Sequence, residues 1–166
     1  MILHAGLIAL RLGGHWRGVL IEGPSGAGKS DLALRCLGEG FALVADDRAV
    51  LFTSEGRVFG RAPQVLAGLI EVRGVGVTRH SFVDFAQVVL RVRCAASAEE
   101  VERFPEPRVE FALGANLPAL TLWPFEPSAP AKMRRALEHL GQGRQQAYQA
   151  CLAPPRRREG AAGTSR

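Results

Sequence analysis

Gly18-Val19-Leu20-Ile21-Glu22-Gly23-Pro24-Ser25-Gly26-Ala27-Gly28-Lys29-Ser30 reads as an apolar strand running into a glycine-rich turn. Asp31, Leu32, Ala33, Leu34, Arg35 and Leu37 continue as a helix, stopped by Gly38 and Gly40. Residues 23–30 satisfy the pattern G-x-x-x-x-G-K-[ST] in full. A chance match in a chain of this composition has an expectation of roughly 0.002. Of 21 basic residues only Lys29 and Lys132 are lysines, and one of them falls where the motif demands it. A plain glycine turn, the simpler reading, leaves that coincidence unexplained. Gly26 and Gly28 let the backbone turn its N–H groups inward around phosphate oxygens. The helix that follows adds its positive end. Lys29 suits the β- and γ-phosphates, and the Ser30 hydroxyl suits Mg²⁺. Gly23, Pro24, Ser25, Gly26, Ala27, Gly28, Lys29 and Ser30 are therefore expected to form a nucleotide-binding loop.

Residues 41–45 form a short apolar strand that ends at Asp46-Asp47. Strand, glycine loop, helix and strand make the β-α-β plan of a parallel sheet, with ligands at the carboxyl ends of the strands. An isolated Asp-Asp is most simply a solvated turn. Beside a phosphate loop, one carboxylate suits the metal or its water, and the other suits a transferred proton. Upstream, residues 2–10 and 18–22 pair as a hairpin across Leu12-Gly13-Gly14-His15. His4, in the first of these strands, reads on its own as an edge or core histidine.

Downstream, residues 50–53 and 57–60 predict a second hairpin, and residues 64–69 a helical turn. Ile70-Glu71-Val72 then runs into Arg73-Gly74-Val75-Gly76. Glu71 and Arg73 alone read as a surface ion pair at a strand end. A phosphate site, however, needs further metal ligands and cations of these types. Residues 88–93 alternate as a half-buried strand. Ser97-Ala98-Glu99-Glu100 has capping-box spacing for a short helix through Arg103 that Pro105 ends. Residues 117–122 predict a strand, and residues 132–140 and 144–151 predict helices. The expected fold class is α/β: a P-loop-containing core with a mixed β-sheet and flanking helices. It is expected as a single domain over residues 1–153, followed by a disordered basic tail over residues 154–166.

At 166 residues the chain has room for one real core. Its 47% apolar and 22% charged content matches soluble globular proteins and excludes wholesale disorder or a disulfide scaffold. No apolar run approaches a bilayer span, and the first residues lack the anatomy of a signal peptide. The expectation is a cytoplasmic protein with no membrane partner. The net charge of +5 suggests nucleic acid until it is located. Four arginines against Glu159 give +3 in residues 154–166, leaving +2 for residues 1–153. The basicity thus belongs mainly to a solvated tail, and no nucleic-acid partner is expected. Cys36, Cys94 and Cys151 have no zinc spacing and read as buried thiols of a reducing compartment.

Four segments together carry a resemblance. Residues 23–35, residues 43–48 (Leu-Val-Ala-Asp-Asp-Arg), residues 60–63 (Gly-Arg-Ala-Pro) and residues 69–76 (Leu-Ile-Glu-Val-Arg-Gly-Val-Gly) resemble the catalytic domain of HPr kinase/phosphorylase in order and spacing. That family comprises bifunctional serine kinases and phosphorolytic dephosphorylases of phosphocarrier proteins. The resemblance implies ATP and Mg²⁺ as cofactors and an HPr-like carrier of a regulatory phosphotransferase system as partner. It also implies assembly as a hexamer. By the same resemblance His4, Lys29, Asp46, Asp47 and Arg103 are catalytic, with one of the two aspartates accepting the serine proton. Arg73 joins the nucleotide loop, while Ser30 and Glu71 hold the metal. The chain resembles short members that begin at the catalytic domain. It departs from the family after Gly76, where Val77-Thr-Arg-His-Ser-Phe-Val83 replaces a glycine- and alanine-rich stretch. It departs again at residues 124–132, where Pro-Phe-Glu-Pro-Ser-Ala-Pro-Ala-Lys replaces a basic segment associated with dephosphorylation.

Three other readings of the loop remain open. A small-molecule P-loop kinase would carry an arginine-rich lid, which is not evident. A GTPase-like switch would carry the guanine-reading Asn-Lys-x-Asp, which is absent. A catalytically inactive nucleotide sensor is distinguished only by assay.

Overall fold

The computed structural model describes residues 1–141; the helix expected over residues 144–151, the tail beyond residue 153 and Cys151 lie outside them. In chain order the elements are β1 (Ile2–Leu3), β2 (Ala5–Leu12), β3 (His15–Glu22), α1 (Lys29–Gly38), β4 (Ala42–Ala45), β5 (Ala49–Ser54), β6 (Arg57–Arg61), β7 (Leu69–Val72), β8 (Gly76–Arg79), β9 (Ala86–Cys94), β10 (Arg108–Ala112), β11 (Ala115–Leu122) and α2 (Ala129–His139). One mixed sheet takes the order β1-β5-β6-β9-β3-β2-β4, with β11 and then β10 attached at β9. β7 and β8 pair separately as a two-stranded ribbon.

The strand expected over residues 2–10 breaks at His4. Ile2 and Leu3 pair with Val50 and Ala49, whereas Ala5 onward pairs with β3. Within one residue the chain passes from one end of the strand order to near the other, so the sheet curls. Apolar side chains fill both of its faces. Leu7, Leu20, Leu51 and Val88 lie inside the curl. Ile8, Ile21 and Leu90 face the helices and meet Leu32, Cys36, Met133 and Leu137. Burying each such leucine or isoleucine is worth about 1.5–3 kcal/mol. The inner layer is tight: a Cβ at Gly60 would lie 2.5 Å from Leu7.

Strand direction decides where chemistry can gather. β3 runs parallel to β9, and β9 runs parallel to β11. β2 is antiparallel to both β3 and β4, so β4 runs with β3. The β3–α1–β4 crossover thus joins two strands of the same direction, as expected, with β2 between them. The carboxyl ends of β3, β4, β9 and β11 share one edge with the amino end of β2. That edge carries His4, the glycine loop, Asp46-Asp47 and residues 123–128.

Two further expectations change. The helix read through Arg103 is only a 3₁₀ turn at Ala98–Glu100, and Ser97 supplies no side-chain cap. Instead the Glu100 carboxylate accepts the Ala96 N–H at 3.1 Å. So short a segment, ended by Pro105, has no packed face to offset the cost of helix nucleation. The helix expected over residues 132–140 begins earlier, at Ala129, with Pro130 in its first turn, where a missing N–H costs nothing. Among the described residues no helix is long and apolar enough to cross a membrane.

Candidate active site

β3 delivers its chain at Glu22 into the glycine loop, and Arg91 of β9 secures that stem. Its guanidinium donates to both Glu22 carboxylate oxygens, at 2.7 and 2.8 Å. The loop ends at Gly28, the N-cap of α1, in the left-handed conformation (φ 86°) and without a side-chain cap. The first-turn amides of α1 are thus left with no side-chain acceptor, as an anion site requires. Cys94, at the end of β9, packs behind Gly23. Burial pushes its thiol up to about 11, and that of Cys36 to about 12, so both expected buried thiols stay neutral.

Lys29 is 7% exposed. Its ammonium donates to the carbonyls of Gly23 and Pro24, each at 2.9 Å, and meets His4 Nε2 at 3.3 Å. His4 Nδ1 lies 3.0 Å from Asp47 Oδ1. The network assigns the tautomer: Nδ1–H donates to the carboxylate, and Nε2 accepts from the lysine. Asp47 itself has φ 63°, a turn conformation that aspartate tolerates, and keeps its side chain open to solvent. Arg48 stands 3.9 Å from its other oxygen.

The neighbouring Asp46 is different. It is 5% exposed, accepting the Ser30 hydroxyl at 2.8 Å and the Glu71 N–H at 3.0 Å. One buried carboxylate thereby ties the loop, β4 and β7 together. Glu71 and Arg73 present their own side chains to solvent at the rim.

These groups enclose one cavity of about 250 Å³. Of the expected residues, His4, Ser25, Gly26, Gly28, Lys29, Ser30, Asp47, Glu71 and Arg73 line it. Gly23 and Pro24 hold Lys29, and Ala27 closes the turn by donating to Pro24 O at 3.2 Å. Asp46 supports the wall from beneath. Arg103 is not among the lining residues: it is exposed on the β9–β10 connection, its guanidinium 5.4 Å from the Phe104 ring centroid. The cavity also takes Asp31, Leu34, Val72 and Phe125, which sequence reasoning did not select. Phe125 carried a signal, an aromatic within an otherwise proline-rich stretch, but only the fold brings it to the loop.

Among the described residues no three His, Cys, Asp or Glu side chains cluster as a metal cage. Mg²⁺ does not need one, since it is commonly held by one or two protein oxygens together with phosphates and water. Ser30 Oγ, fixed by Asp46, and the Glu71 carboxylate on the same cavity fit that requirement.

Residues 4–84, which hold every one of these expected groups except Arg103, match the family model of the HPr serine kinase C-terminal domain. This segment belongs to that family. The HPr kinase/phosphorylase of Leptothrix cholodnii is 40% identical over an aligned 109 residues, covering 58% of this chain and 34% of that protein. That of Bordetella pertussis is 52% identical over 61 residues, 36% of this chain and 20% of that protein. The chain thus matches about a fifth to a third of the length of its curated relatives. The solved structure of the Hpr(Ser) kinase/phosphatase from Coxiella burnetii superposes with a TM-score of 0.72 at 23% identity, covering 92% of this chain and 96% of that one. That likeness extends the HPr kinase catalytic fold over β9–β11 and α2, beyond the segment that the family model matches.

Proposed function

We propose that this HPr kinase-family chain is the catalytic part of a cytoplasmic, ATP- and Mg²⁺-dependent protein-serine kinase whose substrate is an HPr-like phosphocarrier. One observation carries the reading. A solvent-accessible carboxylate, Asp47, held by His4, faces an uncapped phosphate loop across a single cavity. The names of the relatives support the same class of reaction.

In this reading Lys29 and the loop amides bind the phosphate chain of ATP, and Ser30 with Glu71 would hold Mg²⁺. When bound, the metal neutralises phosphate charge. Asp47 accepts the proton of the incoming serine hydroxyl as that oxygen bonds to the γ-phosphorus. The bond to the bridging oxygen breaks, and ADP leaves with the electron pair. His4 keeps Asp47 turned toward the cavity and ties it to Lys29, so acceptor and cation are positioned together. Asp46 positions Ser30 without meeting the substrate. In phosphorolysis an oxygen of inorganic phosphate bonds to the phosphoserine phosphorus as the bond to the serine Oγ breaks. Asp47 passes to that oxygen the proton given up by the attacking phosphate, and pyrophosphate is released.

Incubation with γ-labelled ATP, Mg²⁺ and an HPr-like carrier, followed by mapping of the labelled residue, tests the proposal. Label on a carrier serine is expected. Nucleotide binding without transfer, or label on a small molecule alone, would overturn it.

A further inference from the structure

The cavity has two flanks. His4, Asp47 and Glu71 stand on the flank formed by β2, β4 and β7, so the transferred end of a phosphate chain must lie there. The other end must leave across the opposite flank, where β9 and β11 run parallel to β3 and end beside the loop. That flank is made by Trp123-Pro124-Phe125-Glu126.

The Phe125 ring lies directly on the loop: a Cβ at Gly28 would sit 2.7 Å from its Cζ. Yet 51% of the residue is exposed, and it lines the cavity. A half-exposed phenylalanine beside a polar anion site is otherwise unaccounted for by packing. Its placement is also well supported. Trp123 meets it edge-on, with ring centroids 6.4 Å apart at 71°. Arg35 of α1 donates to the carbonyls on either side of it, those of Pro124 and Glu126. The same guanidinium is oriented by Asp31 at 2.9 Å. An aromatic face held open by its backbone on both sides is a preorganised stacking surface.

We propose that Phe125 is the platform on which the purine base of the bound nucleotide stacks. The inference rests on the nucleotide-binding reading of the loop and adds the base site to it. Phe125 lies in the β11–α2 connection, outside the residues that match the family model. Stacking of a base on an aromatic ring contributes sequence-tolerant affinity without reading the base edges.

The test separates base from phosphate. The full chain and a Phe125→Ala variant are titrated calorimetrically with ADP and with inorganic pyrophosphate, each in the presence of Mg²⁺. ADP binding is expected to weaken about tenfold or more in the variant, with pyrophosphate binding within twofold of wild type. Phe125→Tyr should restore ADP affinity. Equal weakening of both ligands would mean that the ring only shapes the loop, and unchanged ADP affinity would mean that the base lies elsewhere. Either result overturns the proposal. A wild-type chain that binds neither ligand would instead overturn the phosphate-loop reading, and this proposal with it.

Discussion

Asp46 and Asp47 are separated by one peptide bond, and burial sends them to different tasks. Asp46 has both oxygens in use, by the Ser30 hydroxyl and the Glu71 N–H. Asn at this position turns one acceptor into a donor facing another donor. Losing a charge-assisted, buried hydrogen bond costs about 1–3 kcal/mol, so Asp46→Asn should lower the melting temperature by several degrees. Asp47 has solvent on one side and His4 on the other, and its carboxylate supports no buried group. Asp47→Asn should melt within about a degree of wild type while serine phosphorylation falls on the order of 10²–10⁴-fold. Thermal melts beside rate measurements on the two variants check the assignment, and the opposite pattern would exchange their roles. Glu71 offers a second residue-scale test. Only its backbone N–H serves Asp46, so Glu71→Gln should leave the melt unchanged and raise the Mg²⁺ concentration needed for half-maximal transfer. A normal Mg²⁺ titration would return Glu71 to a surface role.

Among the elements, β9 does most to hold the phosphate loop in place, because Arg91 links three strands. It is bidentate on Glu22 of β3 and reaches Glu110 of β10 at 2.7 Å, with its side chain 17% exposed. The hydrogen bonds to Glu22, together with the two carboxylate charges, raise the guanidinium pKa despite burial. Arg91→Ala strands the part-buried Glu22 carboxylate and leaves Glu110 only its exposed partner Arg93, at a cost of about 2 kcal/mol or more. It should lower the melting temperature by several degrees, whereas Arg93→Ala, at an exposed position, should do so by far less. Equal melts for the two would place the loop's support elsewhere. The elements also differ in how far the sequence reveals them. The hairpin at Gly13-Gly14, the phosphate loop and α1 were legible, because alternation, turn glycines and a periodic apolar face are local signals. β8 and β10 were not: Val77, Val109 and Phe111 are 58–74% exposed, so no buried face imprints a period of two. β2 between β3 and β4 was equally hidden, since a strand's partner is settled by packing remote in sequence. Site residues divide in the same way. Those within the loop or at a strand end near it were legible. Phe125 depends on β11 lying parallel to β9, and Arg103, expected from the resemblance alone, stands on the β9–β10 connection outside the cavity lining.

At the scale of the whole molecule, the distribution of cations bears on which direction of the reaction this HPr kinase relative favours. The kinase direction brings one neutral hydroxyl to a bound triphosphate. Phosphorolysis brings inorganic phosphate to a phosphoserine, two multiply charged anions that repel unless extra cations or N–H groups lie between them. Among the described residues the lysine and arginine side chains lining the cavity are Lys29 and Arg73. Arg48 stands by Asp47 but is 65% exposed, where solvent screens it. The β11–α2 connection adds no free cation. Lys132 is paired with Glu126 at 2.6 Å, and Arg35 is committed to Asp31 and two backbone carbonyls. Arg103 lies off the cavity altogether. Phosphate therefore meets fewer compensating charges than ATP does, and phosphorolysis should be the slower direction. The measurement uses serine-phosphorylated carrier, Mg²⁺, millimolar phosphate and no ATP, with pyrophosphate as the readout. Pyrophosphate release slower than forward phosphorylation under matched conditions is expected. Rates as fast as the kinase reaction would mean that Arg73 and the uncapped amides of α1 suffice for the second anion.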